Sequence, residues 1–269
     1  MKKRKWLIIA GIAVLGFLFS GCDTGNEIEN GVADHFEGKL LILQAYGSSG
    51  SAGGATRSFV ELYNAAGKRV NLTGITLYYA NGTSVASDAL PNDNDQDGPW
   101  RMISLIGTLS AGASFLVLGP IQNTTGRLKI TDNSGDINDS NFTLSNRAFK
   151  VALIRGTGTL TVQNPFNTDG NGTKAAGYID MVGSANAYSD DGSERDRIFG
   201  FETAPARNSA SVAVRRKSLA DTNNNSADFA GIDYRAWSAD NPDRTTDEQL
   251  AIYRPKNRAF GTWNPFVDP

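Results

Sequence analysis

The sequence predicts an all-β fold in which two antiparallel sheets pack face to face. Apolar residues recur at every second position, as they do in residues 68–79 on either side of Gly74. Clusters of Gly, Asn, Asp and Ser separate these runs, and such clusters punctuate strands rather than helices. No stretch before residue 245 carries a convincing apolar helical stripe, and only the residues from Thr246 could start one turn. Short strands joined by polar turns favour a β-sandwich.

Seven runs are predicted strands, and their alternation is expected to place one face of each strand in a core and the other in water. They are residues 39–45, 58–63, 68–79, 114–118, 148–154, 177–182 and 211–214. The predicted core contains Phe59, Val60, Leu62, Tyr63, Leu77, Phe115, Val117, Val151, Leu153 and Ile179. The polar segments 81–99, 131–140, 155–176 and 184–210 are predicted to project as long loops from the ends of the sandwich.

The first 21 residues are typical of a bacterial lipoprotein signal peptide. The basic residues 2–5 precede 14 uncharged residues, 6–19, a run too short to cross a bilayer comfortably but suited to a secretory signal. Two small residues then precede Cys22, the only cysteine of the chain. The segment resembles the lipobox, in which the cysteine is acylated and becomes the new N-terminus, although Phe19 stands where leucine is commonest. An uncleaved anchor or a buried free thiol would explain the same residues.

The residues after the signal divide into three predicted parts. Residues 22–37 are expected to form a flexible tether, residues 38–240 the sandwich, and residues 241–269 a C-terminal extension that packs on it. Several acyl chains at one terminus give stable attachment. The sequence therefore predicts a lipoprotein anchored to a membrane of the bacterial cell envelope, on the periplasmic or surface side.

The charge of the predicted mature chain disfavours nucleic acid as a partner. Without the first 21 residues, 22 basic residues face 28 acidic ones, a net charge of −6. Nucleic-acid binding instead needs clustered Lys and Arg. The chain has one cluster of basic residues after the signal, residues 215–217, which is interpreted as a solvated strand end.

Five segments, in order, resemble the lamin-tail domain, an immunoglobulin-like β-sandwich found in nuclear lamins and in many secreted bacterial proteins. They are FVELYN at 59–64, LTGITL at 72–77, GTLSAG at 107–112 with FLVL at 115–118, IDMVG at 179–183, and RRK at 215–217 followed by DTNNNSADF at 221–229. Ile75 replaces a tryptophan of the family. The resemblance covers roughly residues 38–240 and implies an immunoglobulin-like sandwich of lamin-tail type.

A D-x-D-x-D-G motif makes calcium the one cofactor that the sequence indicates. Asp93, Asp95 and Asp97 alternate before Gly98, and alternate carboxylates in a tight loop can converge on a hard cation. An EF-hand would need an acidic residue at position 104, which is Ser104, so the motif is not an EF-hand. A truncated calcium loop and a solvated acidic turn both remain open, and the turn is the simpler interpretation.

Catalytic chemistry has little support in the sequence. The sole histidine, His35, lies in the predicted tether, and Cys22 is assigned to lipid, so histidine-dependent triads and zinc sites are excluded from the sandwich. No nucleophile elbow, phosphate loop or dinucleotide fingerprint occurs. Glu61, within an apolar strand, is interpreted as structural, because a buried carboxylate must find donors. The chain is therefore predicted not to be an enzyme.

The C-terminal extension interleaves aromatic and basic residues. Tyr253, Arg254 and Trp263 are candidate binding residues, since such side chains can stack on sugars or on a partner. Folding back to cover a sheet edge is the favoured interpretation.

Together these observations predict a lipid-anchored, non-enzymatic cell-envelope protein whose sandwich is a binding or structural module. Its expected partners are the membrane, through the acyl chains, and an unidentified extracellular or periplasmic protein or glycan. The alternative is a calcium-dependent hydrolase that uses loop carboxylates.

Overall fold

The computed structural model describes residues 36–48, 50–84, 97–186 and 196–268, which form two main β-sheets and a few short helical segments. The described strands are β1 (Leu40–Tyr46), β2 (Arg57–Asn64), β3 (Val70–Asn71), β4 (Ile75–Asn81), β5 (Thr83–Ser84), β6 (Arg101–Ser104), β7 (Thr108–Leu109), β8 (Ser114–Ile121), β9 (Ile137–Asn138), β10 (Ala148–Arg155), β11 (Tyr178–Ala185), β12 (Asp196–Arg197), β13 (Val212–Arg216), β14 (Phe229–Ala236) and β15 (Arg244–Thr245). The helices of the described residues are α1 (Asn225–Asp228), α2 (Asp247–Tyr253) and the 3₁₀ turn Arg258–Phe260.

The strands pair into one large and one smaller main sheet. The seven-stranded sheet has the order β15-β14-β13-β1-β2-β8-β9, and it is antiparallel except for the outer pairs β14–β15 and β8–β9. The four-stranded sheet has the antiparallel order β11-β10-β4-β6. Two small ribbons, β12-β5 and β3-β7, accompany them. The predicted all-β sandwich is confirmed.

Each of the seven predicted runs contains a strand, and the departures have local causes. The run 68–79 is split into β3 and β4 at Gly74, whose φ of +84° favours glycine. The weak helical signal at Thr246 becomes α2, because the Thr246 and Gln249 side chains form a reciprocal capping box. Strand β14 was not predicted, since its sequence FAGIDYRA lacks clear alternation.

The main core lies between the two sheets. All ten predicted core residues are buried. Eight of them belong to the central cluster: Val60, Leu62, Leu77, Phe115, Val117, Val151, Leu153 and Ile179. Phe59 and Tyr63 point to the other side of β2, where they join two separate clusters. Phe229, at the end of the DTNNNSADF motif, is 4% exposed and lies in the central cluster.

The inner strands are buried on both faces, so the expectation that each strand has one solvent-exposed face is wrong for them. Every residue of β1 and β2 is buried. The outer face of the seven-stranded sheet is covered by the chain after residue 245, where Trp263 packs on Leu43 and Tyr63. The sandwich is therefore wrapped by segments that the strand pattern alone does not reveal.

The segment 156–176 covers the outer face of the four-stranded sheet instead of projecting from an end of the sandwich. Its apolar residues pack against Tyr78 and Ala152. The Trp100 Nε1–H group donates to the Val162 carbonyl oxygen at 2.8 Å, and the Tyr78 hydroxyl donates to a carbonyl oxygen of the same segment. These apolar contacts compensate for ordering a long loop.

The C-terminal segment, residues 246–268, covers a sheet face more than a sheet edge. The Trp263 backbone N–H donates to the Gly112 carbonyl oxygen at 2.9 Å, and the Tyr63 hydroxyl donates to the Trp263 carbonyl oxygen at 2.8 Å. The predicted extension 241–269 also includes β15, which pairs along the sheet edge at β14, so the expected cover of an edge is found there. Across the described ranges, no helix is long and apolar enough to cross a membrane.

Candidate functional site

Three of the predicted site residues lie outside the described part of the chain, namely Cys22, Asp93 and Asp95. Asp97 is described, and its carboxylate enters a buried ion pair. The Asp97 Oδ2 atom lies 2.6 Å from the Lys150 Nζ atom and accepts from the Phe199 backbone N–H at 2.9 Å. Burial raises the pKa of Asp97, and the positive charge of Lys150 opposes that shift. The calcium site stays a prediction. In such a site Asp97 could offer Oδ1, which has no hydrogen-bond partner, because Oδ2 already contacts Lys150 and Phe199.

The three predicted binding residues of the C-terminal segment lie in different environments. Trp263 is 5% exposed, and its Nε1–H donates to the Ser114 hydroxyl at 3.0 Å. The Arg215 guanidinium lies 5.4 Å from the Tyr253 ring and 5.9 Å from the Trp263 ring, so both rings already contact a cation of the chain. Arg254 is exposed and donates to a backbone carbonyl oxygen. Of the three, Arg254 is the one open to a ligand.

A row of polar side chains crosses the seven-stranded sheet beneath the C-terminal segment. In the strand register, Gln44 of β1 lies opposite Arg215 of β13 on one side and Glu61 of β2 on the other. All three are at most 2% exposed. The Gln44 Nε2 atom donates to Glu61 Oε2 at 2.6 Å, which gives Glu61 the donor that its structural interpretation requires.

This polar row is incompletely satisfied by the chain. Among the described residues, three buried atoms of the row have no hydrogen-bond partner, Gln44 Oε1, Glu61 Oε1 and Arg215 Nη1, and the Tyr234 hydroxyl oxygen on β14 has none either. Burial raises the pKa of Glu61, an effect opposed by the charge of Arg215. Burial also lowers the pKa of Arg215, opposed by the charge of Glu61. Gln44 Nε2 also donates to the Tyr253 carbonyl oxygen at 3.1 Å, and Arg215 Nη2 donates to the Pro265 carbonyl oxygen at 2.5 Å, so the row holds the C-terminal segment while its unpaired atoms reduce the net stabilisation.

The solvated strand end predicted for residues 215–217 is wrong for the two arginines. Arg215 and Arg216 are each 2% exposed, and alternation sends them to opposite faces of β13. The Arg216 Nη2 atom lies 2.6 Å from Asp180 Oδ1. The sequence pattern missed this pair because Asp180 is 36 residues away along the chain.

Arg216 lies beside a cluster of three carboxyl groups, Asp180, Glu202 and Asp221. One oxygen from each lies within 4.8 Å of the others. Burial, reinforced by the charges of Asp180 and Asp221, raises the pKa of Glu202 to about 9. Burial raises the pKa of Asp180 to about 6, although the charge of Arg216 opposes it. Burial and the neighbouring carboxylates thus favour the protonated form of Glu202.

The carboxyl cluster is closed by donors from the chain itself. Asp180 Oδ2 accepts from the Ile42 backbone N–H at 2.6 Å, and Glu202 accepts from the Tyr178 hydroxyl. Asn225, from the DTNNNSADF motif, donates to Glu202 Oε2 at 2.9 Å and to a β11 carbonyl oxygen at 2.8 Å. The motif therefore ties α1 to β11, which is a structural role.

Two open hollows flank the segment 131–140 near the β8–β9 edge. The first, called the tail hollow, has a volume of about 520 Å³. It is lined by Leu116, Ser134, Ala251, Arg254, Pro255, Lys256, Asn257, Ala259 and Phe260. The second, called the Arg57 hollow, has a volume of about 590 Å³ and contains Arg57 in its lining. Sequence reasoning identified Arg254 but missed Arg57, Ser134 and Asn257.

Comparisons with known proteins show structural likeness alone. No family model matches the sequence, and a search of curated proteins finds no match. Among solved structures, the chain is similar to a DUF4876 family protein from Bacteroides thetaiotaomicron VPI-5482. The two are 16% identical, the similarity covers 78% of this chain and 75% of that chain, and the TM-score is 0.41.

Proposed function

We propose that the protein is a lipid-anchored, non-enzymatic binding module of the bacterial cell envelope, with a sandwich of lamin-tail type. The lipobox-like segment ending at Cys22 supports the anchor on the exported side. The lamin-tail-like segments support the fold type, because FVELYN lies in central strand β2, IDMVG in β11, and DTNNNSADF at the entry to β14.

The tail hollow is the observation that carries the binding role. Phe260 is 50% exposed there, and Arg254 presents a guanidinium group held by a 2.6 Å hydrogen bond to the Lys129 carbonyl oxygen. An aromatic face contacts the apolar side of a sugar ring, while guanidinium, amide and hydroxyl groups bond its hydroxyls. The hollow therefore suits a glycan.

The walls of the tail hollow are fixed before any ligand arrives. The Lys256 Nζ atom donates to the Ala251 carbonyl oxygen at 3.1 Å, at the end of α2. The Asn257 Nδ2 atom donates to the Ser134 carbonyl oxygen at 2.6 Å, which links the segment to the 131–140 wall. Rigid walls reduce the entropy lost on binding.

The lining of the tail hollow supports binding rather than hydrolysis. It contains no carboxylate, thiol or imidazole, and the Nζ atom of Lys256, an amine that could otherwise act as a base, donates to the Ala251 and Ile252 carbonyl oxygens. The carboxyl cluster around Asp180 is buried and bonded within the chain. Nothing in the described residues favours the calcium-dependent hydrolase.

Two experiments test the proposal. Metabolic labelling with palmitate should mark the chain expressed in a bacterium and should fail for Cys22→Ala. A glycan array probed with the detergent-purified full chain should give ligands whose binding weakens about ten-fold in Arg254→Ala and Phe260→Ala. Phe266→Ala is the matched control, because Phe266 is an exposed aromatic of the same segment outside the hollow. If Cys22→Ala were labelled as strongly as the wild-type chain, acylation at Cys22 would be refuted. If no glycan on the array bound the chain, a glycan ligand for the tail hollow would be refuted.

A further inference from the structure

Three groups that can together form an amide bond meet beside strand β10, namely an amine, a carboxamide and a carboxyl group. The Lys150 Nζ atom lies 2.6 Å from Asp97 Oδ2 and donates to Gln163 Oε1, also at 2.6 Å. It donates further to the Gln163 backbone carbonyl oxygen at 2.8 Å, which holds that residue against the amine. The amine of Lys150 therefore contacts an acid and an amide at the same time.

The Gln163 side chain is placed for attack by this amine. A C=O bond is about 1.2 Å long, so the Gln163 Cδ atom lies at most about 3.8 Å from Lys150 Nζ. Two atoms that react are productively placed at about 3–3.5 Å, a separation that a small rotation of the amide reaches. Gly200 leaves room for this approach, because a Cβ atom there would lie 2.5 Å from the Gln163 carbonyl oxygen and 2.9 Å from the Lys150 side chain.

The site is closed to solvent, which favours the neutral forms that the reaction needs. The side chains of Lys150 and Asp97 are both 0% exposed, and the Trp100 ring lies over Nζ with its centroid at 4.5 Å. Burial lowers the pKa of Lys150 and raises the pKa of Asp97, and each shift is opposed by the charge of the partner. Burial therefore favours transfer of a proton from the ammonium group to the carboxylate, which leaves a nucleophilic amine beside a neutral acid.

Lys174 has the same three groups around it without the burial. Its Nζ atom contacts the Glu37 carboxylate and donates to Asn223 Oδ1 at 2.7 Å. The Lys174 and Glu37 side chains are 28% and 40% exposed, so water solvates both charges and the amine has no reason to give up its proton. Lys174 is therefore a matched comparison for Lys150 within the same chain.

We propose that Lys150 and Gln163 join in an intramolecular isopeptide bond, with Asp97 as the catalytic acid and base. A proton passes from Lys150 Nζ to Asp97, and the neutral amine attacks Gln163 Cδ. Asp97 delivers that proton to the Gln163 amide nitrogen, which leaves as ammonia when the Cδ–Nε2 bond breaks, and it takes a second proton from Nζ. The products are an Nζ–Cδ amide, one ammonia and a neutral Asp97, so the reaction needs no co-reactant.

The bond removes two buried charges and links a loop to the smaller sheet. A buried ion pair gives little net stabilisation because both ions lose their water, and the reaction neutralises both of them. The bond also joins β10 to residues 156–176, the segment that covers the outer face of the four-stranded sheet. This covalent link does not depend on the ligand assigned to the tail hollow.

Peptide mapping of the detergent-purified full chain by mass spectrometry tests this bond. Trypsin cleaves after Lys and Arg, so the unjoined chain gives residues 148–150, 151–155 and 156–174 as separate peptides. The isopeptide bond blocks cleavage at Lys150, so all three should appear as one branched peptide that has lost one ammonia. Absence of this branched peptide from the wild-type chain would overturn the proposal.

The same map distinguishes this bond from two others. A branch from Lys150 to residues 70–101, with loss of water, would make Asp97 the acceptor in place of Gln163 and would refute the assignment. Cleavage after Lys174 is expected to be complete. A branch at Lys174 would contradict the argument that burial selects Lys150.

Variants separate the roles of the three groups, with folding checked by circular dichroism. Gln163→Ala and Lys150→Arg should each lose the branched peptide, and Lys150→Arg does so while keeping a cation beside Asp97. Asp97→Asn should lower the joined fraction at least about ten-fold, because an amide cannot take the proton of the ammonium group. A wild-type joined fraction in Asp97→Asn would refute its catalytic role. The wild-type map decides the bond itself, whether or not any variant folds.

Discussion

Replacing Trp263 by alanine tests whether the C-terminal segment belongs to the cooperative fold. The indole is almost fully buried against Leu43 and meets the Tyr63 ring edge-on at a centroid distance of 6.2 Å. Truncation of a buried tryptophan costs about 3–5 kcal/mol, and an aromatic pair of this geometry contributes roughly 0.5–1.5 kcal/mol beyond buried area. The Ser114 hydroxyl also loses its donor at 3.0 Å. The free energy of unfolding is expected to fall by at least ~3 kcal/mol.

Urea unfolding of the full chain, followed by circular dichroism, measures this loss. Phe266→Ala is the control, because Phe266 is 37% exposed in the same segment, and its loss should stay below ~1 kcal/mol. A loss below ~1 kcal/mol for Trp263→Ala as well would show that the segment docks weakly. The wrapped sandwich described above would then be wrong.

Three further predictions concern the interior. Because burial raises the pKa of Glu202 from 4.5 to about 9, the folded state holds a proton there that the unfolded chain releases, so this group's stabilising contribution is full below pH 4.5 and is lost as the pH rises through about 9. Urea unfolding measured across that pH range should show that the free energy of unfolding depends less on pH in Glu202→Gln than in the wild type. An unchanged pH dependence would contradict the raised pKa of Glu202. Lys150→Ala should cost about 3–5 kcal/mol in the same assay by leaving Asp97 buried without its cation, and a loss near zero would mean that water reaches the pair. Gly183→Ala should lower the melting temperature, because a Cβ atom there would lie 2.0 Å from a carbonyl oxygen, whereas Gly67→Ala meets nothing within 4 Å; equal melting temperatures would refute the close packing.

The local sequence pattern was sufficient to predict the strands with a clear apolar pattern, and it was insufficient to predict the other strands. The FVELYN run predicts β2 because its composition and length are those of a strand. Strand β14 gives no such signal, because it forms by pairing with β13, as between Ala213 and Ile232. Its location depends on long-range pairing, which periodicity does not encode.

The candidate sites show the same limit at the level of side chains. Arg57 lies between two polar residues, so the sequence indicates only the start of a strand there. The carbonyl oxygens that accept from its guanidinium belong to residues 119, 130 and 131. Backbone acceptors carry no sequence signature. Arg254 could be found from sequence because aromatic and basic residues alternate around it.

The docking of Trp263 has a consequence for the order of folding during synthesis. Its carbonyl oxygen accepts from the Tyr63 hydroxyl, a contact that spans 200 residues of chain. Until residue 263 has been made and has left the ribosome, Leu43 and Tyr63 lack their contact with the Trp263 side chain on the outer face of the sheet. Sheet surfaces left bare in this way invite aggregation. We expect nascent chains arrested before residue 246 to depend on chaperones, whereas chains that contain Trp263 can close on themselves.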